Sequence, residues 1–68
     1  MRNRVREQRT QREMSQAELA AALGVSRQTV ISIEGGRYLP SLPLAFRIAQ
    51  FFDSTVDGMF DASEEVRT

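Results

Sequence analysis

Hydrophobic residues recur at helical spacing in two short stretches that adjoin near the middle of the chain. The positions expected to face a core are Leu19, Ala20, Leu23, Val25, Val30 and Ile33. Gly24 ends the first stretch and the pair Gly35-Gly36 ends the second, as glycine commonly does at helix ends. The pattern predicts two helices of about two turns each, joined by a tight turn that contains a glycine. That arrangement is a helix-turn-helix.

Both predicted helices carry start signals. In the run Met14-Ser15-Gln16-Ala17-Glu18-Leu19, Ser15 can accept from the backbone N–H of Glu18, and Glu18 can reach back to the N–H of Ser15. Met14 and Leu19 occupy the two positions of a hydrophobic staple. Ser26 is a good N-cap for the second helix, which we expect over residues 27–34.

Three further helices are predicted around this pair. Residues 2–12 are rich in helix formers, and we expect Val5 and Arg9, four residues apart, to share an inner face. A helix over about 42–52 begins after Ser41 and places Leu42, Ala45, Ile48, Ala49 and Phe52 on one stripe. Asp53-Ser54 is expected to cap a last helix over about 55–60, with Val56, Met59 and Phe60 pointing inward.

The helix over 42–52 is apolar around more than one face, because it also carries three large residues off the main stripe. These are Leu44, Phe46 and Phe51. A helix with this pattern is buried on more than one side. The three residues are therefore candidates for a dimer interface, and core filling by large side chains is the alternative.

Composition restricts the possible chemistry. The chain of 68 residues forms at most one domain, and it contains neither Cys nor His. We also find no glycine-rich phosphate loop and no cluster of inward carboxylates, so an enzyme, a metal site, a cofactor or a small-molecule ligand is not expected. The absence of a long apolar run predicts no membrane span. We expect a cytoplasmic protein with one domain over residues 1–60 and a loosely held acidic tail over 61–68.

Charge is unevenly distributed although the formal net charge is zero. Residues 1–47 contain eight Arg and four Glu, a net charge of +4, and residues 48–68 carry a net charge of −4. The basic part suggests a polyanionic partner. Two solvated surfaces of opposite sign would give the same distribution.

The run from Met14 to Arg37 resembles the Xre family of helix-turn-helix regulators, which includes the lambdoid phage repressors and Cro. The continuation Pro40-Ser41-Leu42, then Ile48-Ala49, then Val56-Asp57-x-Met59-Phe60 is similar to the rest of that domain. The likeness covers residues 4–60 and is greatest to short stand-alone bacterial regulators of the cytolysin-repressor type. It implies an all-α, five-helix, lambda-repressor-like fold with the helix-turn-helix at helices 2 and 3, binding double-stranded DNA as a dimer.

The resemblance also implies roles for single residues. Residues matched to base contacts are Arg27, Gln28 and Ser32, and Ile31 beside them can meet a thymine methyl. Predicted backbone contacts are Gln16, Ser26, Thr29, Gly35, Arg37 and Tyr38. Arg9 and Glu34 match an internal salt bridge. By their donor patterns, Arg27 suits guanine and Gln28 suits adenine. The other helix-1 arginines, Arg2, Arg4, Arg6 and Arg12, are expected to be solvated and to supply a general field.

Three positions depart from the family pattern. Gly35 stands where Asn is frequent, Ile31 replaces a small or polar residue, and Gly58 is a weak helix former in the last helix. The sequence therefore predicts a sequence-specific DNA-binding transcriptional regulator, a repressor that acts as a homodimer on a near-palindromic operator. An antitoxin-like module that binds a partner protein and regulates its own synthesis is the alternative.

Overall fold

Five helices and one short pair of strands make up the fold in the computed structural model, which describes residues 2–61. In chain order the elements are β1 (Arg2–Asn3), α1 (Val5–Gln11), α2 (Gln16–Leu23), α3 (Arg27–Glu34), α4 (Leu42–Phe51), α5 (Val56–Met59) and β2 (Phe60–Asp61). The predicted five-helix, lambda-repressor-like fold is confirmed, with a strand pair added to it. No helix within residues 2–61 is long and apolar enough to cross a membrane.

The helix-turn-helix follows from local signals. Ser15 Oγ accepts from the Glu18 N–H at 3.0 Å, and Glu18 Oε1 accepts from the Ser15 N–H at 2.7 Å, so the predicted capping box begins α2. Gly24 ends that helix in the left-handed region, with φ of 74°. Ser26 Oγ then accepts from the Thr29 N–H at 3.1 Å and starts α3.

A single core joins these elements. It consists of Val5, Leu19, Ala20, Leu23, Val30, Ile33, Leu44, Ala45, Ile48, Ala49, Phe52, Met59 and Phe60. Five of the six inward positions predicted for the helix-turn-helix are among them, and the sixth, Val25, is half-buried. Met14 and Val25 pack against the core from the residues that precede the two N-caps, as expected of hydrophobic staples. Each short helix is therefore stabilised by tertiary packing, since helices of this length are marginal alone.

The apolar face of α4 differs from the prediction at two positions. Leu42, expected on the inner stripe, is 61% exposed, whereas Leu44, an interface candidate, is 5% exposed and belongs to the core. The inner stripe runs instead through Leu44, Ala45, Ile48, Ala49 and Phe52. Leu42 is the first residue of α4 and lies at the edge of this stripe, beyond the helices that cover it. Little of the Leu44 side chain is left for contact with a partner.

The two chain ends also differ from the prediction. Residues 2–12 were expected to be helical throughout, but α1 begins at Val5 and the residues before it form β1. In the antiparallel strand pair, Arg2 lies opposite Asp61 and Asn3 opposite Phe60. Asn3 Oδ1 accepts from the Val5 N–H at 3.1 Å, which satisfies an amide at the start of the helix. Of the predicted tail over 61–68, only Asp61 belongs to the described residues.

The last helix begins later than predicted and has a different cap. Thr55, and not Asp53-Ser54, is the N-cap of α5, because its Oγ1 accepts from the Gly58 N–H at 3.0 Å. Asp53 instead takes a left-handed conformation, with φ of 54°, just after α4. A Cβ at Gly58 would lie 2.8 Å from Thr55 Oγ1. The cap therefore favours glycine at a position where helix propensity alone disfavours it.

Candidate nucleic-acid interface

The outer face of α3 carries the four residues predicted to contact bases. Val30 and Ile33 anchor the opposite face, since each is only 1% exposed. Arg27 and Gln28 are exposed, and Ile31 and Ser32 are half-buried. The alternation follows from the helical period, which turns residues 27, 28, 31 and 32 to one side. The helix thus offers two long polar side chains and two short or apolar ones to the solvent.

Two grooves flank this outer face. The larger one, about 690 Å³, is called the basic groove here and is lined by Arg6, Arg9, Ser15, Gln16, Ala17, Arg27, Ile31, Glu34 and Gly35. The smaller one, about 180 Å³, is called the hydroxyl groove and is lined by Ser26, Gln28, Thr29, Ser32 and Tyr38. The outer face of α3 is therefore a ridge, with Arg27 and Ile31 on one slope and Gln28 and Ser32 on the other.

An ion pair ties the end of α3 to α1 at the bottom of the basic groove. Arg9 Nε donates to Glu34 Oε2 at 2.6 Å, and Arg9 Nη2 donates to Glu34 Oε1 at 3.1 Å, so the contact is bidentate. The two side chains are 11% and 5% exposed. Arg9 Nη1 also donates to the Met14 carbonyl at 2.7 Å. The hydrogen bond with Glu34 raises the pKa of Arg9 above its usual range, which keeps the guanidinium charged.

Gln16 adds a third donor to the same carboxylate. Its Nε2 donates to Glu34 Oε1 at 3.3 Å, from the first residue of α2. A carboxamide nitrogen carries two hydrogens, so one is engaged and the other is left for an acceptor in the groove. Gln16, predicted to contact phosphate, is therefore held in the wall of the basic groove.

The loop after α3 is also fixed to the helix. The Arg37 N–H and the Tyr38 N–H both donate to the Ser32 carbonyl, at 3.0 and 3.2 Å. Gly36 makes this reversal possible with φ of 75°, while Gly35 keeps a helical φ of −79°. The side chains of Arg37 and Tyr38 are exposed at this end of the ridge. At the other end, the hydroxyls of Ser26 and Thr29 bond to each other at 2.9 Å.

Sequence reasoning missed one residue that positions α3. Asn3 Nδ2 donates to the Ile33 carbonyl at 2.7 Å, thirty residues along the chain, while its Oδ1 holds the start of α1. No local pattern links these positions. The only available signal was an Asn two residues before a helix, a position at which its side chain often bonds to the backbone.

The interface candidates on α4 fall in different places. Phe46 is 52% exposed, and Phe51 is partly exposed with its ring 5.0 Å from that of Phe52 in an edge-to-face contact. Leu39, Leu42 and Phe46 form what we call the apolar patch. Leu39 and Leu42 line one apolar hollow of about 350 Å³ together with Val56 and Phe60, and Phe46 follows Leu42 by four residues.

Among residues 2–61, no group of acidic side chains is arranged to hold a metal ion.

Comparison with known proteins gives a consistent family. A helix-turn-helix family model matches residues 5–59. An uncharacterized HTH-type transcriptional regulator of Methanocaldococcus jannaschii is 48% identical over 60 residues, which cover 88% of this chain and 91% of that protein. An uncharacterized HTH-type transcriptional regulator of Bacillus subtilis is 43% identical over 65 residues, 96% of this chain and 98% of that protein. The ImmF control region 10 kDa protein of Bacillus phage phi105 is 44% identical over 45 residues, 66% of this chain and 50% of that protein.

Proposed function

Since this chain belongs to the Xre-type helix-turn-helix family, we propose that it is a transcriptional repressor that binds a near-palindromic operator as a homodimer. The observation that carries the proposal is the ridge of α3 between the basic groove and the hydroxyl groove. Arg27 and Gln28 stand exposed on opposite slopes of this ridge. With α3 in the major groove, the two side chains would meet neighbouring base pairs while phosphates enter the flanking grooves.

Base recognition would use four side chains with different chemistry. Arg27 can donate two hydrogen bonds to guanine O6 and N7, and Gln28 can pair with adenine N6 and N7. Each such bidentate contact discriminates by about 1–3 kcal/mol. Ile31, half-buried on the same slope as Arg27, would offer apolar surface to a thymine methyl, and Ser32 could bond to either kind of base edge.

Backbone contacts would hold α3 in register on both sides. Gln16 and Gly35 line the basic groove, and the hydroxyl groove contains Ser26, Thr29 and Tyr38. Arg37 lies at the end of the ridge, where its backbone is bonded to Ser32. Contacts of this kind fix the orientation of the helix without reading sequence, and they make binding depend on salt.

A homodimer would place two recognition helices about 34–36 Å apart, one turn of DNA. Its interface would use the exposed aromatic side chains of α4, Phe46 and Phe51. Phe46 belongs to the apolar patch, whose three side chains are each more than half exposed within residues 2–61. Burying such a patch is the ordinary driving force for association.

The test is selection of bound sites from random DNA, performed with the wild type and with Arg27→Ala. The wild type should enrich a site with two related halves about one helical turn apart. Arg27→Ala should lose preference at one base pair in each half. Arg4→Ala is the matched control, because Arg4 is an exposed arginine of the same protein that pairs with Glu7 away from the ridge. Unchanged specificity of Arg27→Ala would remove α3 from its proposed role.

The dimer is tested separately by sedimentation at micromolar concentration. We expect Phe46→Ser to shift the protein to a monomer that selects a single half-site. Gln50→Ser, on the next turn of α4 and also exposed, should leave the dimer intact. A wild-type monomer that co-purifies with a different protein would favour the antitoxin-like alternative. Repression is tested by transcription from a promoter that contains the selected site, with and without the protein.

A further inference from the structure

The structure divides seven of the eight arginines of residues 2–61 into two groups. Four have guanidinium groups engaged within the protein: Arg4 with Glu7, Arg9 with Glu34, Arg12 with Gln8 and Phe52, and Arg47 with the Leu23 carbonyl. Arg2 lies in β1 opposite Asp61. The guanidinium groups of Arg6, Arg27 and Arg37 have no partner within the described residues. A cation without an internal partner is the one available to an external anion.

The three available cations surround α3. Arg27 stands on the ridge, and Arg37 stands at its end. Arg6 reaches the same surface from α1, because it lines the basic groove together with Gln16 and Arg27. Arg4 has Glu7 three residues later, at the spacing of a helical ion pair, but no sequence signal indicates that Arg6 lies near α2 and α3. The distinction arises because α1 packs with the Arg6 side toward α2 and α3, while Arg4 pairs with Glu7.

The basic groove keeps its positive charge because its acidic member is neutralised. Glu34 is the one acidic residue that lines it, and Arg9 pairs with that carboxylate through two hydrogen bonds. The charges of Arg6 and Arg27 are therefore uncompensated within this groove. Gln16 lines the same groove and has a second amide hydrogen that Glu34 does not use, and it lies at the start of α2, where the helix dipole also favours an anion.

We propose that Arg6 binds a phosphate of the DNA backbone in the basic groove, beside Gln16. This inference rests on the proposed function and adds a contact from α1, which the sequence assigned only to the general field. Phosphates would then be held on both sides of the recognition helix, by Arg6 and Gln16 on one side and by Arg37 at the other. Arg6 would strengthen binding to every sequence and would not select a base.

The experiment measures operator affinity between about 50 and 300 mM salt for the wild type and for Arg6→Gln. Each neutralised phosphate contributes about −0.9 to the slope of log K against log salt. Arg6→Gln should therefore reduce the slope by about 0.9 per bound chain. If counterion release is the whole effect, affinity at 0.1 M salt should fall about eightfold per bound chain. The preferred sequence should be unchanged.

Arg4→Gln is the control, since it removes the same formal charge from the same part of the chain, outside the basic groove. It should change the slope by less than half as much. Arg6→Lys keeps the cation and should retain most of the wild-type slope. Equal slopes for Arg6→Gln and Arg4→Gln would overturn the inference and leave only a general field. A changed base preference in Arg6→Gln would overturn it too, in favour of base reading. If the wild type binds no DNA at low salt, the proposed function fails instead.

Discussion

The ion pair between Arg9 and Glu34 leads to a quantitative prediction for Glu34→Gln. The substitution keeps the shape of the side chain, so no cavity forms, but it removes the charge and presents an amide donor to a guanidinium that only donates. Arg9 is 11% exposed and cannot recover its lost partner from water. Breaking a buried pair in this way costs about 3–5 kcal/mol. We expect the lower end, about 3 kcal/mol, because the Arg9–Met14 hydrogen bond remains.

A loss of this size is large for this chain. At about 0.05–0.15 kcal/mol per residue, 68 residues give a total stability of about 3–10 kcal/mol. Urea unfolding followed by far-UV circular dichroism should show a midpoint lowered by about 1–3 M. Thermal unfolding should occur roughly 12–24 °C lower. If the variant is partly unfolded in buffer, trimethylamine N-oxide restores a folded baseline for both proteins.

Glu7→Gln is the matched control. The Arg4–Glu7 contact has the same N–O distance as the Arg9–Glu34 contact, 2.6 Å, but its side chains are 57% and 49% exposed. Solvent screens an exposed pair, so the midpoint of Glu7→Gln should barely move. The double variant Arg9→Met/Glu34→Leu should be more stable than Glu34→Gln, because it removes both buried charges. Equal effects of Glu34→Gln and Glu7→Gln would refute the reasoning from burial.

Three further predictions concern stability and are read from the same urea transitions. Leu19→Ala, at a fully buried site, should cost about 2–5 kcal/mol, whereas Leu42→Ala should leave monomer stability within about 0.5 kcal/mol; equal losses would contradict the assigned core. Asn3→Asp keeps the acceptor for the Val5 N–H but cannot donate to the Ile33 carbonyl, so we expect a loss of about 1 kcal/mol. Asn3→Gln keeps an amide donor, so a loss in that variant would not come from the absence of this donor. Gly24→Ala should cost about 1 kcal/mol from backbone strain alone, since a Cβ there would meet only Arg47 Nη1, at an ordinary contact distance of 3.9 Å; an unchanged midpoint would contradict the left-handed turn.

The parts of the fold that the sequence predicted are governed by neighbouring residues. Ser15 and Glu18 bond within one helical turn, and Gly24 adopts a conformation that other residues avoid. The spacing of Leu19 and Leu23 determines which side of α2 is buried. Each of these signals lies within a few residues of its effect, and for that reason the starts, ends and inner faces of α2 and α3 could be assigned correctly.

The parts that the sequence did not predict depend on contacts between distant residues. Asn3 pairs with Phe60 in the strand ladder and bonds to Ile33, and neither relation leaves a periodic pattern. On α4 nearly every position is apolar, so periodicity alone could not decide whether Leu42 or Leu44 faces inward. The packing partners α2 and α5 decide it. The same limit applies to Arg6, whose direction is set by how α1 packs.

The end of α3 is fixed from three directions, and this has a consequence for DNA recognition. Arg9 holds Glu34 from α1, Asn3 holds the Ile33 carbonyl from β1, and the loop at Arg37 bonds back to Ser32. The bonds from Asn3 and from the loop give the Ile33 and Ser32 carbonyls partners near the end of this eight-residue helix, where carbonyl groups lack intrahelical ones. A helix of this length would fray in isolation, whereas here both ends are held, the first by the Ser26 cap. The side chains proposed to read bases therefore stand on a backbone that is held in place by the protein itself. In the proposed complex, binding would need to order only those side chains and would lose less affinity to entropy.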